Sequence, residues 1–98
     1  MTNDTRLPTS TDRTFSLGEI VITRNALDFL TPDEIREGIT RHANCEWGDL
    51  CEMDRKTNED ALVHGDRLFS VYGKKPRRFW IITEWDRSVT TVLLPEDY

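Results

Sequence analysis

The hydrophobic pattern is clearest in the last third of the chain, where short apolar runs alternate with polar turns. Three runs rich in β-branched and aromatic residues follow one another, Leu68–Tyr72, Phe79–Glu84 and Val89–Leu94. These residue types favour strands, and the Gly, Pro, Asp and Ser residues between the runs are typical of turns. The pattern therefore predicts an antiparallel meander. Since side chains alternate along a strand, Phe79, Ile81 and Thr83 should point to one face and their neighbours to the other.

The pattern ahead of the meander predicts helices. Thr31 and Glu34 have the arrangement of a capping box, in which each side chain accepts a hydrogen bond from the backbone N–H of the other residue. A helix should begin there and end near Asn44, with Gly38 as either a weak point or a place of close packing. The apolar stripe of this helix consists of Ile35, Ile39 and His42 or Ala43.

A further helix is predicted from Leu50 to about His64. Asp49 would cap it, since an acidic residue follows three positions later, and Gly65 would end it because glycine adopts the left-handed conformation without strain. The polar stretch 57–60 is a place where this helix would break. The residues expected to face the core are Leu50, Met53, Ala61 and Leu62.

The N-terminal part of the pattern is shorter. The run Glu19–Thr23 predicts a strand at an edge of the sheet, and Ala26–Leu30 predicts a brief helix capped by Thr23 or Asn25. The residues of this helix expected to face the core are Leu27 and Leu30.

These elements describe an α+β domain: a sheet of three or four antiparallel strands that ends in the β-meander, with two or three helices packed on one face. Residues 1–14 are polar without periodicity, and we expect them to form a disordered tail ahead of a single domain over residues 15–98. The outer face of the sheet also carries apolar groups. It should therefore be half exposed, or covered by a partner such as a second copy in a homodimer.

Length and composition are typical of a small globular protein. The 98 residues carry a net charge of −5 and a mean hydropathy of −0.59, yet the apolar residues are gathered into periodic segments. No run approaches the ~20 apolar residues of a membrane span, and the N-terminus lacks the apolar core of a signal peptide. We expect a cytoplasmic protein without membrane contact, in which Cys45 and Cys51 are free thiols.

The charge is divided between two parts of the chain. Residues 28–66 contain eleven acidic against four basic residues, whereas residues 67–87 contain six basic against two acidic ones. Affinity for nucleic acid depends on neutralising phosphates, so an acidic chain is a poor general binder. We therefore expect no direct binding of DNA.

The ligand-capable residues of the sequence are His42, Cys45, Asp49 and Cys51. Zinc would accept these donor atoms, but zinc sites usually contain closely spaced cysteine pairs, and the spacing here matches no standard pattern. Two packed thiols and a helix histidine explain the same residues. We predict no metal and no cofactor.

Two polar segments are candidate recognition sites. Trp47 and Asp49 form a turn between the helices, where a structural role for both is the simpler explanation. The loop 74–78 holds four positive charges, including Arg77 and Arg78. This loop would contact phosphate or an acidic protein surface, or would be a solvated loop that discourages sheet association.

The turn between the last two strands is a third candidate. Its polar residues are Glu84, Asp86, Arg87 and Ser88. They would provide a general base beside a cation, or a recognition surface, or merely a Glu84–Arg87 pair across an ordinary turn.

Several stretches together carry a resemblance to a known family. They are Trp47–Leu50, Asn58–Leu62, Gly65–Tyr72 and Trp80–Pro95, with His42 ahead of them. This combination resembles a family of small proteins encoded on bacterial plasmids, integrative elements and phages, usually labelled plasmid-related proteins. The similarity covers Phe15 to Tyr98, and Cys45 and Cys51 are not part of its pattern. It implies a mobile-element context and no established activity.

Small acidic proteins of mobile elements often bind host defence machinery, and the analogy of context suggests such a role here. Our first hypothesis is a non-enzymatic protein that binds a host or defence-system protein, as an anti-CRISPR or antirestriction inhibitor does. An acidic helical face would imitate phosphates and make binding sensitive to salt. The candidate residues of this face are Asp33, Glu37, Glu52 and Glu59.

The alternative hypothesis is a RelE/ParE-like toxin that acts on RNA or on the translation machinery, because that superfamily shares the predicted order of elements. The acidic net charge argues against it, since RNA must be held before it is cut. The candidate groups of such a toxin are Tyr72, Arg77, Arg78 and Arg87.

Overall fold

Within residues 15–98, the part of the chain that the computed structural model describes, three helices cover one face of a four-stranded sheet. This is the predicted α+β fold, and the predicted tail at residues 1–14 lies outside the described residues. The elements in chain order are β1 (Glu19–Ile22), α1 (Arg24–Phe29), α2 (Pro32–Ala43), α3 (Glu52–His64), β2 (Leu68–Tyr72), β3 (Phe79–Thr83), β4 (Val89–Leu93) and a short 3-10 helix (Pro95–Asp97).

The strands lie in the order β1-β4-β3-β2. The antiparallel meander of β2, β3 and β4 is confirmed. β1 occupies an edge, as expected, but it pairs with β4 in parallel, so the sheet is mixed and not wholly antiparallel. The reason is that the helices return the chain over one face, so that β2, and with it β4, runs in the same direction as β1.

The helices lie over different strands of the same face, with α1 on β4, α2 on β3 and α3 on β2. Their apolar sides meet the inward residues Phe79, Ile81 and Thr83 of β3, all of which are buried, so the predicted alternation along this strand is confirmed. A larger core forms beneath α1 and α2, and a smaller one forms around Trp47 and α3. None of the helices in residues 15–98 is long and apolar enough to cross a membrane.

Local sequence signals place the start of α2. Thr31 and Glu34 form the predicted capping box: the Thr31 N–H donates to Glu34 Oε1 at 2.7 Å, and the Glu34 N–H donates to Thr31 Oγ1 at 3.1 Å. Gly38 is a place of close packing, because a Cβ atom there would lie 2.7 Å from the ring of Phe79. The capping oxygen of α1 is Thr23 Oγ1, which accepts from the N–H of Ala26 at 3.2 Å.

Other local predictions are wrong. α3 begins at Glu52, after an N-cap residue without a capping side chain, so Asp49 lies too early to cap it. The late start places Met53 in the exposed first turn, where it is 76% exposed. Leu27 is 55% exposed, because Ala26 and Leu30 already supply the contact of the short α1 with the core. α3 continues unbroken through residues 57–60.

Candidate protein-binding surface

The four predicted acidic-face residues lie on two helices over neighbouring strands. Glu37 on α2 and Glu52 at the start of α3 are exposed, and their carboxylates have no hydrogen bond or ion pair within residues 15–98. Asp33 is exposed but is paired with Arg36 at 2.6 Å. Glu59 is half-buried and accepts a hydrogen bond from the indole Nε1–H of Trp47 at 3.0 Å. The free carboxylates of this set are therefore Glu37 and Glu52.

Trp47 and Asp49 have structural contacts. Trp47 is 2% exposed and belongs to the smaller core, so it is unavailable to a partner. The carboxylate of Asp49 accepts from the guanidinium of Arg78 at 2.8 Å. Both residues have structural contacts of the kind that sequence reasoning favours, but Asp49 forms an ion pair with Arg78, next to β3, and does not cap a helix.

The basic loop retains only part of its charge at the surface. Arg77 donates two hydrogen bonds to the carboxylate of Glu34, at 2.7 and 2.8 Å, and one to the carbonyl oxygen of Phe29 at 2.8 Å. These bonds to Arg77, together with the capping bond from Thr31, lower the pKa of Glu34 to about 2. Lys74 and Lys75 are exposed. The two arginines of the loop serve to fasten it to the helical layer and to Asp49.

The turn between β3 and β4 is held by its own polar groups. Asp86 Oδ1 accepts from both the N–H and the hydroxyl of Ser88, at 3.0 and 2.7 Å, and these bonds lower the pKa of Asp86. The carboxylate of Glu84 pairs with Arg67 at 3.4 Å, so the Glu84–Arg87 pair, one of the alternatives for this turn, does not form between their side chains. These contacts are those of an ordered turn, in which Asp and Ser side chains bond to the local backbone.

Arg87 joins this turn to α3. It has a positive φ of 60°, and its guanidinium donates to the carbonyl oxygens of Ala61 at 3.1 Å, Asp66 at 2.6 Å and Glu84 at 3.1 Å. A cation at carbonyl oxygens of the last helical turn also complements the helix dipole. The guanidinium of Arg87 therefore bonds to the backbone carbonyl oxygen of Glu84 and not to the Glu84 carboxylate.

A chain of buried hydrogen bonds crosses the core, and sequence reasoning missed it. It runs from Ser70 on β2 through His42 on α2 to Thr83 on β3, with His42 Nδ1 2.5 Å from Ser70 Oγ and Nε2 2.9 Å from Thr83 Oγ1. Thr83 Oγ1 lies 2.7 Å from Thr90 Oγ1, which donates to the carbonyl oxygen of Leu17 at 2.6 Å. The available signal was three hydroxyl residues on inward strand positions, because a buried hydroxyl requires a partner.

The hydrogen-bond directions along this chain follow from its last bond. The single hydroxyl proton of Thr90 goes to the Leu17 carbonyl, so Thr83 must donate to Thr90 and accept from His42 Nε2–H. His42 Nδ1 then accepts from Ser70. Burial, with a smaller contribution from the charge of Arg87, lowers the pKa of His42 to about 4, which keeps the ring neutral as this arrangement requires.

The Ser70–His42 contact resembles a nucleophile and base in its distance but not in its accessibility. A serine attacks a substrate only when its hydroxyl faces a cleft. Ser70, His42, Thr83 and Thr90 are all 0% exposed. The hydrogen-bonded chain therefore holds α2 to three strands and is closed to a substrate.

The other ligand-capable residues do not converge. Cys45 is buried in the smaller core, Cys51 is exposed, and neither forms a disulfide bond. Within the described part of the chain, no group of three or more His, Cys, Asp and Glu residues is arranged to hold a metal ion.

The two edge strands of the sheet differ in whether their outward backbone groups have hydrogen-bond partners. On β2, the side chain of Asn58 accepts from the N–H of Phe69 at 3.1 Å and donates to its carbonyl oxygen at 2.6 Å. Val71, the next outward residue, donates its N–H to the carbonyl oxygen of Trp47 at 3.0 Å and accepts from the N–H of Asp49 at 2.8 Å. Unpaired edges invite association with other strands, and these contacts close this one.

The β1 edge is open. The N–H groups of Glu19 and Thr23 donate toward β4, at 3.0 Å each, so the alternation of the strand turns the N–H and C=O groups of Ile20 and Ile22 outward. These outward groups have no hydrogen-bond partner within residues 15–98. Ile20 and Val21 are 43% and 41% exposed. An apolar groove of about 370 Å³ lies beside this edge, lined mainly by Ile22, Leu27, Leu30, Ile35 and Ile39.

The outer face of the sheet is half exposed and partly covered by the chain itself. The ring of Trp80 makes edge contacts with Phe69 and Tyr98, with centroids 5.1 and 5.8 Å apart. Ile82, on the same face, is buried. A shallow hollow of about 260 Å³ remains among these side chains and Arg67.

Comparisons of the chain with protein families, with curated proteins and with solved structures find no match. Two surfaces of the described residues are the strongest candidates for binding a partner, because their polar groups have no partner within the fold. One is the set of free carboxylates on α2 and α3, and the other is the β1 edge with its groove. Both are suited to binding a protein, the first through charge and the second through backbone hydrogen bonds and apolar contact.

Proposed function

We propose that the chain is a non-enzymatic accessory protein of a mobile genetic element and that it binds a protein of the host, such as a component of a CRISPR or restriction system. The resemblance to plasmid-related proteins supports this context. The observation that supports binding through an acidic surface is the contrast between the arginines of the sheet and two carboxylates of the helical layer, although Lys74 and Lys75 are also exposed. Arg77, Arg78 and Arg87 are each held by internal acceptors, whereas Glu37 and Glu52 are exposed and unpaired within residues 15–98.

The partner surface that fits such carboxylates is basic. Proteins that bind nucleic acid present Lys and Arg side chains to phosphates, and carboxylates on a rigid helix satisfy the same donors. α2 and α3 are rigid supports, since α2 is fastened by the buried His42 chain and α3 by Arg87 and Asn58. An inhibitor of this kind occupies the nucleic-acid groove of a defence protein and prevents it from reaching its target.

The test uses bacteria that carry a CRISPR or a restriction system. Expression of the protein should raise the plating efficiency of a targeted phage, and the purified protein should capture an identified component of that system from lysate. The double variant Glu37→Gln, Glu52→Gln should weaken both effects at least tenfold. A matched control, Asp66→Asn with Glu96→Gln, makes the same change in net charge at residues outside α2 and α3 and should retain both effects.

Two results would contradict the proposal in different ways. Full protection by the Glu37→Gln, Glu52→Gln variant would show that the acidic helices are not the binding surface. No protection and no captured component, against a panel of CRISPR and restriction systems, would show that the protein does not act on such defences.

The toxin hypothesis finds no support in the contacts of its candidate groups. Tyr72 is buried and donates its hydroxyl to the carbonyl oxygen of Glu46 at 2.6 Å, and burial raises its pKa to about 12. Arg77, Arg78 and Arg87 have the internal acceptors described above. Expression in a strain without CRISPR or restriction systems separates the two hypotheses, because a toxin arrests growth there and an inhibitor leaves growth unchanged.

A further inference from the structure

We propose that β1 is the interface of a homodimer, in which the β1 strands of two copies pair in antiparallel and join the two sheets into one of eight strands. The starting observation is the contrast between the edges of the sheet. The outward backbone groups of β2 are paired with Asn58 and with the 47–49 segment, whereas those of Ile20 and Ile22 are unpaired within residues 15–98. β1 also lacks the proline and lysine that often protect an edge, and its register with β4 contains no bulge.

The position of the outward groups selects one register. A twofold axis makes the two strands antiparallel, and their outward residues must face one another to exchange hydrogen bonds. Pairing Ile20 of one copy with Ile22 of the other meets this condition twice and closes four hydrogen bonds, two for each pair. A shift that pairs Ile20 with itself would require Gly18 to be extended, but Gly18 has a φ of +65°.

The side chains fit this register. Ile20 and Ile22 face each other on the helical side, and Val21 meets its own copy on the outer side, so apolar groups meet apolar groups. Glu19 falls opposite Thr23 of the other copy, where Arg24 follows in the chain and Asp97 accepts a hydrogen bond from the Thr23 hydroxyl at 2.7 Å, so one charge of each sign lies nearby. No like charges come into direct opposition, a condition that destabilises a strand pair when it occurs.

The groove beside the edge supplies the additional apolar contact. A stable protein interface buries roughly 800 Å² on each partner, more than a four-residue strand provides alone. Leu27, 55% exposed, lines the groove together with Ile22 and extends the apolar surface beyond the strand. α3 covers β2 at the opposite edge. Dimerisation would therefore leave Glu52 of both copies accessible.

Disulfide trapping tests the register directly. Val21 meets its own copy as a non-hydrogen-bonded pair, with Cα atoms about 4.5 Å apart, within the range of a disulfide. The Val21→Cys, Cys51→Ser variant should form a covalent dimer under mild oxidation. The control Val63→Cys, Cys51→Ser places a thiol on α3 at a more exposed position, 79% against 41% for Val21, and should nevertheless remain largely monomeric. Equal rates of cross-linking in the two variants would overturn the proposal.

Sedimentation equilibrium of the unmodified protein provides the second measurement. The protein should sediment as a dimer that dissociates on dilution, and Val21→Lys should be monomeric because it places two ammonium groups opposite each other. Val63→Lys, with the same change on α3, should remain dimeric. A wild-type protein that is monomeric at every concentration would overturn the proposal, whatever the outcome of the defence assays.

Discussion

At the scale of single residues, burial decides what a chemically suggestive group does. His42 lies within hydrogen-bond distance of Ser70, as a base lies beside a nucleophile, yet both are 0% exposed. Its ring instead accepts one bond and donates another, which satisfies hydroxyl groups on two strands. Such a network fixes the position of a helix on a sheet more specifically than apolar contact does, because each member must be satisfied.

The first prediction concerns the pH dependence that this burial imposes. The pKa of His42 is lowered from 6.5 to about 4, so between these values the unfolded chain binds a proton that the folded protein does not. The free energy of unfolding is therefore not reduced by His42 above pH 6.5, and it decreases as the pH falls from 6.5 toward 4. The loss between pH 7 and pH 4.5 should be about 2–3 kcal/mol, measured by urea unfolding at a fixed protein concentration.

Variants separate His42 from other titrating groups. His42→Gln should abolish this slope, whatever its effect on absolute stability, and His64→Gln should leave it unchanged because His64 lies on the exposed side of α3. Glu34, whose pKa is lowered to about 2, contributes a further loss of stability only below pH 4.5. A slope between pH 7 and pH 4.5 that persists in His42→Gln would contradict the assignment.

At the scale of elements, local chemistry was predictable and long-range partners were not. The capping box of Thr31 and Glu34 could be recognised because both members lie within four residues. The partner of Glu34 across the fold, Arg77, lies 43 residues away and leaves no trace in the local pattern. The same local rule predicts that Asp49 caps α3, and this prediction is wrong because α3 begins only at Glu52.

The second prediction concerns the closed edge at β2. Asn58 is 2% exposed, and its side-chain amide donates one hydrogen bond to the backbone of Phe69 and accepts another from it. Asn58→Ala should lower the free energy of unfolding by about 1–3 kcal/mol, since it leaves a covered N–H and C=O without partners. The exchange rate of the Phe69 amide hydrogen should rise at the same time.

The control for this change is the neighbouring residue. Thr57 is exposed and bonds only to the carbonyl oxygen of Met53 within its own helix, so Thr57→Ala should change stability by no more than about 0.5 kcal/mol. Equal effects of the two substitutions would show that Asn58 acts through helix propensity and not through the sheet edge.

At the scale of the whole molecule, the arrangement of the sheet could be predicted in part. The meander followed from three strand patterns joined by short turns, which leave little choice of topology. The direction of β1 depends on how three helices return the chain over the sheet, and no local pattern encodes that path. The two candidate surfaces, the carboxylates of α2 and α3 and the β1 edge, could not be predicted for the same reason. They depend on which charges and backbone groups are paired within the folded molecule.

The final prediction separates the two proposed surfaces by their response to salt. Raising the ionic strength from 0.15 to 1 M shortens the screening length from about 8 to about 3 Å and should weaken capture of a basic partner by the carboxylates of α2 and α3. The dimer relies mainly on backbone hydrogen bonds and apolar contact, with Glu19 and Arg24 only at the ends of the strand pair, so its sedimentation should change little. Dissociation of the dimer in parallel with the loss of capture would show that both depend on the same charges and that the groove is not the dimer interface.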